Sequence, residues 1–160
     1  MYKTNDYIVY RHDVCKIKEI KKINDNTYYV ISPLDDNSLI INTPVDNKMG
    51  YIRDILSKEE AERIIDSIKD IKTVENINEK NVEATYKELL NSYSYENLIK
   101  IIKTTYERNN NRLINNKKIS EKDDSYFKLA EKYLYNELAI SLNTTSEEIK
   151  NYIINKFKNE

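Results

Sequence analysis

The apolar residues of this chain change their spacing near residue 56, and the change divides the sequence into two parts. Before it, apolar and polar residues alternate in short segments, which is the period of β-strands. After it, apolar residues recur every three or four positions, which is typical of amphipathic helices. We therefore predict an α+β chain with a strand-rich domain at residues 1–56 and an all-α domain at residues 57–160.

Four β-strands are predicted in the first part, and turn-forming residues separate them. The predicted strands are 6–10, 14–23, 27–32 and 39–43. Asn24, Asp25 and Asn26 favour a hairpin turn because Asn and Asp tolerate the left-handed conformation. A second turn is expected at residues 33–37. Four short strands bury little apolar surface unless the sheet curls, so we expect a small antiparallel β-barrel.

A bundle of five helices is predicted in the second part. The expected ranges are 57–71, 78–92, 94–115, 123–142 and a final helix that opens at Thr145. Ser57 and Glu60 have the spacing of a capping box, and so do Thr145 and Glu148. Apolar residues on one face of each helix are expected to form the core. The aromatic residues assigned to this core are Tyr86, Tyr106, Tyr126, Phe127, Tyr152 and Phe157.

The sequence offers little material for catalysis or metal binding. It contains one histidine, His12, one cysteine, Cys15, and one glycine, Gly50. A single histidine does not support a multi-histidine metal site or a His-Cys dyad, and a single glycine excludes a glycine-rich phosphate loop. We therefore expect that the protein is not an enzyme and uses no cofactor and no metal.

The cellular location is predicted from the amino terminus and the cysteine content. The start of the chain is polar and lacks the apolar segment of a signal peptide, and no apolar run reaches transmembrane length. One cysteine excludes an internal disulfide and suits a reducing cytoplasm. Because Cys15 lies in an alternating segment, we expect a small buried side chain rather than a reactive thiol. We expect a cytoplasmic protein without membrane contact.

Basic residues are concentrated between residues 100 and 118, in a chain whose formal net charge is −1. They are Lys100, Lys103, Arg108, Arg112, Lys117 and Lys118, and Glu107 is the one acidic residue among them. A local basic face of this kind can hold nucleic-acid phosphates without reading their sequence. An ordinary solvated helix face explains the same residues, so both interpretations stay open.

The order of five motifs resembles the amino-terminal domain of the CarD family of bacterial transcription regulators, a domain also found in the transcription-repair coupling factor. The motifs are NDYIVY, VCKIKEI, YYVIS, LIINTPVDN and GYIRDI. Two later segments, SYENLIKIIKTTYERN and LAEKYLYNELA, are similar to the family's carboxy-terminal bundle, so the resemblance covers nearly the whole chain. The chain departs from the family pattern at Asn5, where glycine is expected, and at residues 11–14, where the family has a proline and a His-Gly turn. It is too short for a translocase motor, so the stand-alone regulators are the better match.

The resemblance implies that residues 1–56 form a Tudor-like barrel that binds the β subunit of RNA polymerase by pairing a strand edge with a polymerase strand. Segment 39–43 would supply that edge, and Pro44 would end the pairing because proline has no N–H. The implied polymerase contacts are Lys21, Lys22, Ile40, Ile41 and Asn42. The residues alone leave open the alternative that this strand only closes the barrel.

The resemblance also implies that the helical domain touches promoter DNA in the minor groove, with little sequence specificity and with an aromatic wedge at a partly unstacked base step. The six basic residues between 100 and 118 are the DNA contacts that we predict. Family members carry a Trp wedge at the start of the second helix, but this chain has no Trp. The corresponding position falls at Glu79 or Val82, and Tyr86 is the nearest aromatic residue, on the expected core face.

Two functions follow from these expectations. In the first, a nucleoid-associated regulator binds the polymerase β subunit through its barrel and stabilises the open promoter complex through its helical domain. In the second, the chain is a protein-only interaction module that binds RNA polymerase or another protein without touching DNA, and the missing Trp and the net charge favour it. We expect a monomer, although exchange of the edge strand would give a dimer.

Overall fold

The structure is a computed structural model that describes the backbone of residues 1–158 and the side chains as far as Lys156. It contains one antiparallel sheet of five strands and five α-helices, so the predicted α+β class is confirmed. The chain divides into two compact units, residues 1–56 and residues 57–160. All strands lie in the first unit and all α-helices in the second.

The strands of the first unit form a sheet in the order β4-β3-β2-β1-β5. Their bounds are β1 Tyr7–Tyr10, β2 Asp13–Ile23, β3 Asn26–Pro33, β4 Ile41–Pro44 and β5 Ile52–Arg53. Each neighbouring pair is antiparallel. The two short outer strands, β4 and β5, are the edges of an open sheet, and the predicted antiparallel sheet is confirmed in this open form. The fifth strand was not predicted, because two residues carry no periodicity.

Local sequence explains how this sheet forms. Asn24 and Asp25 have φ angles of 47° and 67°, and they form the two-residue turn between β2 and β3, as predicted. A register shift between Ile17 and Glu19 bends β2 into a bulge. One face of the sheet, which we call the inner face, carries the apolar core. The buried members of this core are Ile8, Cys15, Ile17, Tyr29, Ile31 and Ile52.

The fourth strand begins two residues later than its sequence predicts. Leu39 and Ile40 are exposed and lie outside β4, which runs from Ile41 to Pro44. The backbone N–H of Leu39 donates to the carbonyl of Asp36 at 3.2 Å, in a turn that the Asp36 side chain also stabilises by accepting from the N–H of Ser38. Because this turn takes the N–H of Leu39, the ladder with β3 starts at Ile41.

The second unit contains five helices at nearly the predicted positions. Their bounds are α1 Lys58–Ser67, α2 Val82–Asn91, α3 Tyr95–Ile114, α4 Glu121–Ser141 and α5 Ser146–Lys158, and a 3-10 turn at Ile68–Asp70 follows α1. The predicted capping box of α1 is confirmed: the hydroxyl of Ser57 accepts from the N–H of Glu60, and the Glu60 carboxylate accepts from the N–H of Ser57. Thr145 caps α5 by accepting from the N–H of Glu148 at 3.1 Å.

The core of the helical unit consists mainly of the residues predicted from helical spacing. Its buried apolar residues are Ala61, Ile65, Val82, Tyr86, Leu98, Ile99, Ile101, Ala130, Leu134, Leu138, Ala139, Ile149 and Ile153. Two of the predicted aromatic core residues are wrong. Tyr106 is 62 % exposed and lies against Phe127 at the surface, and Tyr152 is exposed and donates a hydrogen bond to Glu62. The side chain of Phe157 lies outside the described residues.

Tyr106 was assigned to the core because it sits at the margin of the apolar stripe of α3. The neighbouring Thr104 and Thr105 are the buried residues at that turn, and the Thr105 hydroxyl donates to the carbonyl of Ile101 at 2.7 Å. A threonine that bonds its own helix backbone can be buried without another partner. These two small side chains therefore take the inward positions, and the ring of Tyr106 turns toward solvent.

No helix in the described part of the chain has the length and apolar character needed to cross a membrane.

Cys15 provides a test of the core of the first unit. Its side chain is fully buried, as its alternating position predicts, and burial together with the nearby Asp13 charge raises the pKa of its thiol to about 12. Because the thiolate is the reactive form, we expect the native protein at pH 8 to resist labelling by an aromatic disulfide reagent. The same protein in concentrated urea should be labelled at once, and rapid labelling of the native protein would contradict this account of the core.

Candidate functional site

The backbone of β4 has a defined inward and outward side. The N–H of Val45 donates to the carbonyl of Thr27 on β3 at 3.1 Å. Antiparallel pairing alternates, so Thr43 and Ile41 also direct their backbone groups toward β3. Asn42 and Pro44 lie at the intervening positions, and their backbone groups point away from the sheet. We call these outward groups, the N–H and carbonyl of Asn42 and the carbonyl of Pro44, the β4 edge.

The β4 edge can take one short additional strand. Asn42 offers both a donor and an acceptor there, whereas Pro44 offers only an acceptor, because it has no N–H. Proline is tolerated at this position because its missing N–H would have pointed to solvent and not to β3. The carboxyl end of β4 therefore limits pairing to the neighbourhood of Asn42, in agreement with the role predicted for Pro44.

The opposite edge of the sheet is closed by a side chain. The N–H of Arg11 donates to the carbonyl of Tyr51 at 2.7 Å, so the backbone groups of Ile52, one residue further along, point away from β1. The amide of Asn47 satisfies both of them: its oxygen accepts from the N–H of Ile52 at 3.0 Å, and its nitrogen donates to the carbonyl of Ile52 at 2.8 Å. Asn47 thus occupies the edge of β5 as a strand would.

Sequence reasoning missed this role of Asn47. The residue has a φ angle of 52°, and asparagine is one of the few residues that adopt this left-handed conformation readily. The signal was therefore present in the motif TPVDN, where an asparagine follows a short strand and a proline. Nothing in the sequence shows which backbone groups its amide reaches.

The predicted polymerase contacts do not all lie on one surface. Strand β3 separates β2 from β4, so Lys21 and Lys22 are two strands away from Asn42. Lys21 is in register with Tyr28, which is in register with Pro44, so Lys21 shares the outer face of the sheet with the side chain of Asn42. Lys22 points to the opposite face, because successive strand residues alternate.

The two isoleucines of the predicted contact set also differ from each other. Ile41 pairs with Ile31, and its half-buried side chain packs on the core of the first unit. Ile40 is 55 % exposed and precedes the strand. Asn42 and Ile40 are therefore accessible to a partner, whereas Ile41 belongs to internal packing.

Arg108 and Arg112, predicted to contact DNA, form an internal ion-pair cluster. Both arginines bond the carboxylate of Asp123, at 3.1 Å from Nε of Arg108 and 2.5 Å from Nη1 of Arg112. Both also bond Glu79, at 2.7 Å and 3.1 Å. Asp123 is 1 % exposed and accepts a further bond from the hydroxyl of Tyr86 at 2.6 Å. We call these five residues the Asp123 cluster, and its geometry ties α2, α3 and α4 together.

The protonation states of the cluster follow from its geometry. Burial raises the pKa of the Asp123 carboxyl, but the hydrogen bonds from Tyr86, Arg112 and Arg108 outweigh burial and hold that pKa below its ordinary value. Burial and the adjacent Asp123 charge raise the pKa of the Tyr86 hydroxyl. The carboxylate is therefore ionised and the phenol neutral at pH 7, so the bonds are those of a stable structural cluster.

Two further predicted DNA contacts are also engaged within the protein. The ammonium of Lys103 donates to the carbonyls of Ile68 and Ile71, at 2.6 Å in the second case, and so caps the carbonyl end of the 3-10 turn. Burial lowers the pKa of Lys103. Lys100 lies 4.0 Å from Glu96, one turn earlier on α3. Lys103 is therefore a structural residue, while Lys100 forms a weak surface pair.

The remaining two predicted DNA contacts, Lys117 and Lys118, lie in the turn between α3 and α4. Both are exposed, and within the described part of the chain neither forms an ion pair. The adjacent end of α3 exposes two large apolar side chains, Leu113 at 59 % and Ile114 at 69 %. We call residues 113–118 the α3–α4 tip.

The predicted wedge positions are not free to insert between bases. Val82 and Tyr86 are buried in the helical core, where the Tyr86 ring lies 5.0 Å from that of Tyr126. Glu79 is exposed, but its carboxylate is paired with both arginines of the Asp123 cluster. The structure thus corrects the wedge prediction: the exposed apolar residues nearest to free lysines lie at the α3–α4 tip and not at the start of α2.

Comparison with known proteins leaves the site to be judged on its geometry: no family model matches the chain, and no curated protein is significantly similar to it. Among the described residues, no three His, Cys, Asp or Glu side chains are grouped closely enough to hold a metal ion.

We expect Asp123→Asn to destabilise the helical unit by about 3 kcal/mol, because it leaves two buried guanidinium groups without their main partner. The matched control is Glu79→Gln, which removes the exposed partner of the same arginines and should cost less than about 1 kcal/mol. Urea unfolding followed by circular dichroism measures both. Equal losses in the two variants would contradict the structural role assigned to Asp123.

The same cluster predicts a loss of stability in acid. A carboxyl whose pKa is lower in the folded than in the unfolded state stabilises the fold above the unfolded value of about 3.9. That contribution is lost as pH falls through the unfolded value toward the folded one. The difference in unfolding free energy between wild type and Asp123→Asn should be constant from about pH 5 to 7 and shrink below about pH 4.

Proposed function

We propose that this protein is a transcription regulator of the CarD type. Its first unit binds the β subunit of RNA polymerase through the β4 edge, and its helical unit contacts promoter DNA and stabilises the open complex. The observation that supports this proposal best is the asymmetry of the sheet: Asn47 fills the edge of β5, while the N–H and carbonyl of Asn42 stay open on β4. Strand addition at an open edge is a common mode of protein recognition.

The Tudor-like barrel belongs to the same proposal. Strands β4 and β5 are the two outermost strands of the sheet, yet a connection of only seven residues, 45–51, joins them. That connection contains two tight turns, closed by bonds from Asn47 to Pro44 and from Gly50 to Asn47. A flat sheet would hold its two outermost strands far apart, so the short connection favours a sheet that curls toward a barrel.

The DNA half of the proposal rests on the α3–α4 tip. Lys117 and Lys118 can each neutralise a phosphate, and proteins of the minor groove insert apolar side chains such as those of Leu113 and Ile114 between base steps. Two phosphate contacts give weak binding on their own. Attachment to polymerase raises the effective concentration of the DNA, so weak contacts at the tip are sufficient.

A protein-only interaction module is the second candidate, and one observation favours it. Arg108, Arg112 and Lys103, which gave the 100–118 segment much of its charge, are bonded to carboxylates or carbonyls of the protein itself. The helical unit thus presents fewer free cations than its sequence implies. In this case the unit binds another protein and leaves DNA untouched.

The polymerase half is tested by a proline at Asn42. We expect Asn42→Pro to lose binding to a purified polymerase β-subunit fragment, because it removes the outward N–H at the centre of the β4 edge. Asn42→Ala is the matched control and should bind as wild type does, since it keeps that N–H. Ile41→Pro is a poorer variant, because the N–H of Ile41 points to β3 and its loss weakens the sheet. A pull-down with the full chain measures binding, and unchanged binding by Asn42→Pro would refute strand pairing.

The DNA half is tested by reversing two charges at the tip. The Lys117→Glu/Lys118→Glu double variant should shorten the lifetime of open promoter complexes and reduce the salt dependence of the effect by about two units, while polymerase binding is unchanged. Lys58→Glu/Lys69→Glu is the matched control, because it makes the same charge change at two exposed lysines of α1 and the 3-10 turn. If both double variants behave as wild type, the protein-only module is the better account.

A further inference from the structure

A groove lies beside the β4 edge in the first unit. Its volume is about 350 Å³, which is on the order of ten water volumes. The residues that form its walls are Tyr10, Thr43, Pro44, Met49 and Tyr51. Tyr10 also packs on the core of the first unit, so the groove is a lateral opening toward that core and not a separate surface feature.

The geometry of strand pairing determines which residue of a partner strand faces this groove. A partner residue that pairs with Asn42 places its side chain on the outer face, as Asn42 does. The next residue of the partner lies opposite Thr43 and points to the inner face. Thr43 is buried on that face and forms part of the groove wall. A strand that pairs at Asn42 therefore directs one side chain into the groove.

The inner-face position of Tyr10 follows from the same register. Tyr10 lies opposite Ile52, which is buried in the core, and two strand residues before it Ile8 is in the core as well. The rings of Tyr10 and Tyr51 meet edge to face, with centroids 5.8 Å apart and an angle of 76° between their planes. Two rings in this arrangement give the groove a firm aromatic wall.

The chemistry of the groove favours an apolar occupant. Met49 is 72 % exposed at its mouth, and a methionine thioether adapts readily to the shape of an apolar partner. The two charged residues of the lining, Asp46 and Lys48, lie 3.9 Å from each other, so they compensate each other's charge. The guanidinium of Arg11 lies over the ring of Tyr51, 4.2 Å from its centroid, and disfavours a second cation there.

We propose that this groove is a specificity pocket for one large apolar side chain of the polymerase β subunit, supplied by the residue that lies opposite Thr43 when the polymerase strand pairs with Asn42. This inference rests on the proposed function, since it requires the strand to pair at the β4 edge. Backbone bonds at Asn42 accept any sequence, so the pocket is what selects one strand among many.

The test places a charge in the groove of the full chain. Met49→Asp should weaken binding to the purified β-subunit fragment about tenfold or more, because the carboxylate must lose its water when an apolar side chain enters. Met49→Leu is the matched control and should bind as wild type does. Ser38→Asp adds the same charge at an exposed position of the first unit outside the groove, and it should also leave binding unchanged.

A crosslink then identifies the occupant. A photoreactive benzophenone side chain at position 49 should crosslink an apolar residue of the β-subunit fragment, and mass spectrometry of the product locates it. Loss of binding by Asn42→Pro together with normal binding by Met49→Asp would overturn the pocket while leaving the proposed function intact. No binding by the wild-type chain would overturn both. A crosslink to a charged residue would also refute the apolar pocket.

Discussion

The backbone groups at the edges of a β-sheet must be paired or hydrated, and the structure of the first unit depends on how its two edges meet this requirement. At β5 the amide of Asn47 bonds both the N–H and the carbonyl of Ile52, so that edge offers nothing to another strand. At β4 the corresponding groups of Asn42 have no such cover, and Pro44 limits the length of the opening. One edge is thereby closed and the other kept short, which allows a specific strand to pair while discouraging indefinite edge-to-edge association.

In the helical unit, a buried carboxylate has the comparable organising role. Asp123 receives bonds from Tyr86 on α2 and from Arg108 and Arg112 on α3, and its own backbone N–H donates to the capping hydroxyl of Ser120 at the start of α4. Three helices are fixed at one point by charge-assisted bonds. The consequence for function is that the arginines are committed to the fold. The free charge of the unit is left at Lys117 and Lys118, beside the exposed apolar end of α3.

The sequence predicted elements well and partners poorly. The change of period near residue 56, the Asn24–Asp25 turn and the capping box at Ser57 all depend on neighbours within a few positions, and each was found where it was expected. The basic segment at 100–118 misled because charge counting does not show that Glu79, 29 residues before Arg108, folds back onto it. The bond between Asn47 and Ile52 was likewise invisible, although left-handed geometry at an asparagine hinted at a special turn. Polymerase and DNA, as partners, remain proposals from a resemblance that the geometry of the β4 edge and the α3–α4 tip supports.

The most direct test of the open edge is amide hydrogen exchange at single residues of β4, measured by NMR with and without the polymerase β-subunit fragment. In the free protein, the N–H of Asn42 should exchange much faster than those of Thr43 and Val45, which bond β3. Addition of the fragment should slow exchange at Asn42 and leave Thr43 and Val45 unchanged. Protection of Asn42 in the free protein, or no added protection in the complex, would contradict recognition by strand pairing at this edge.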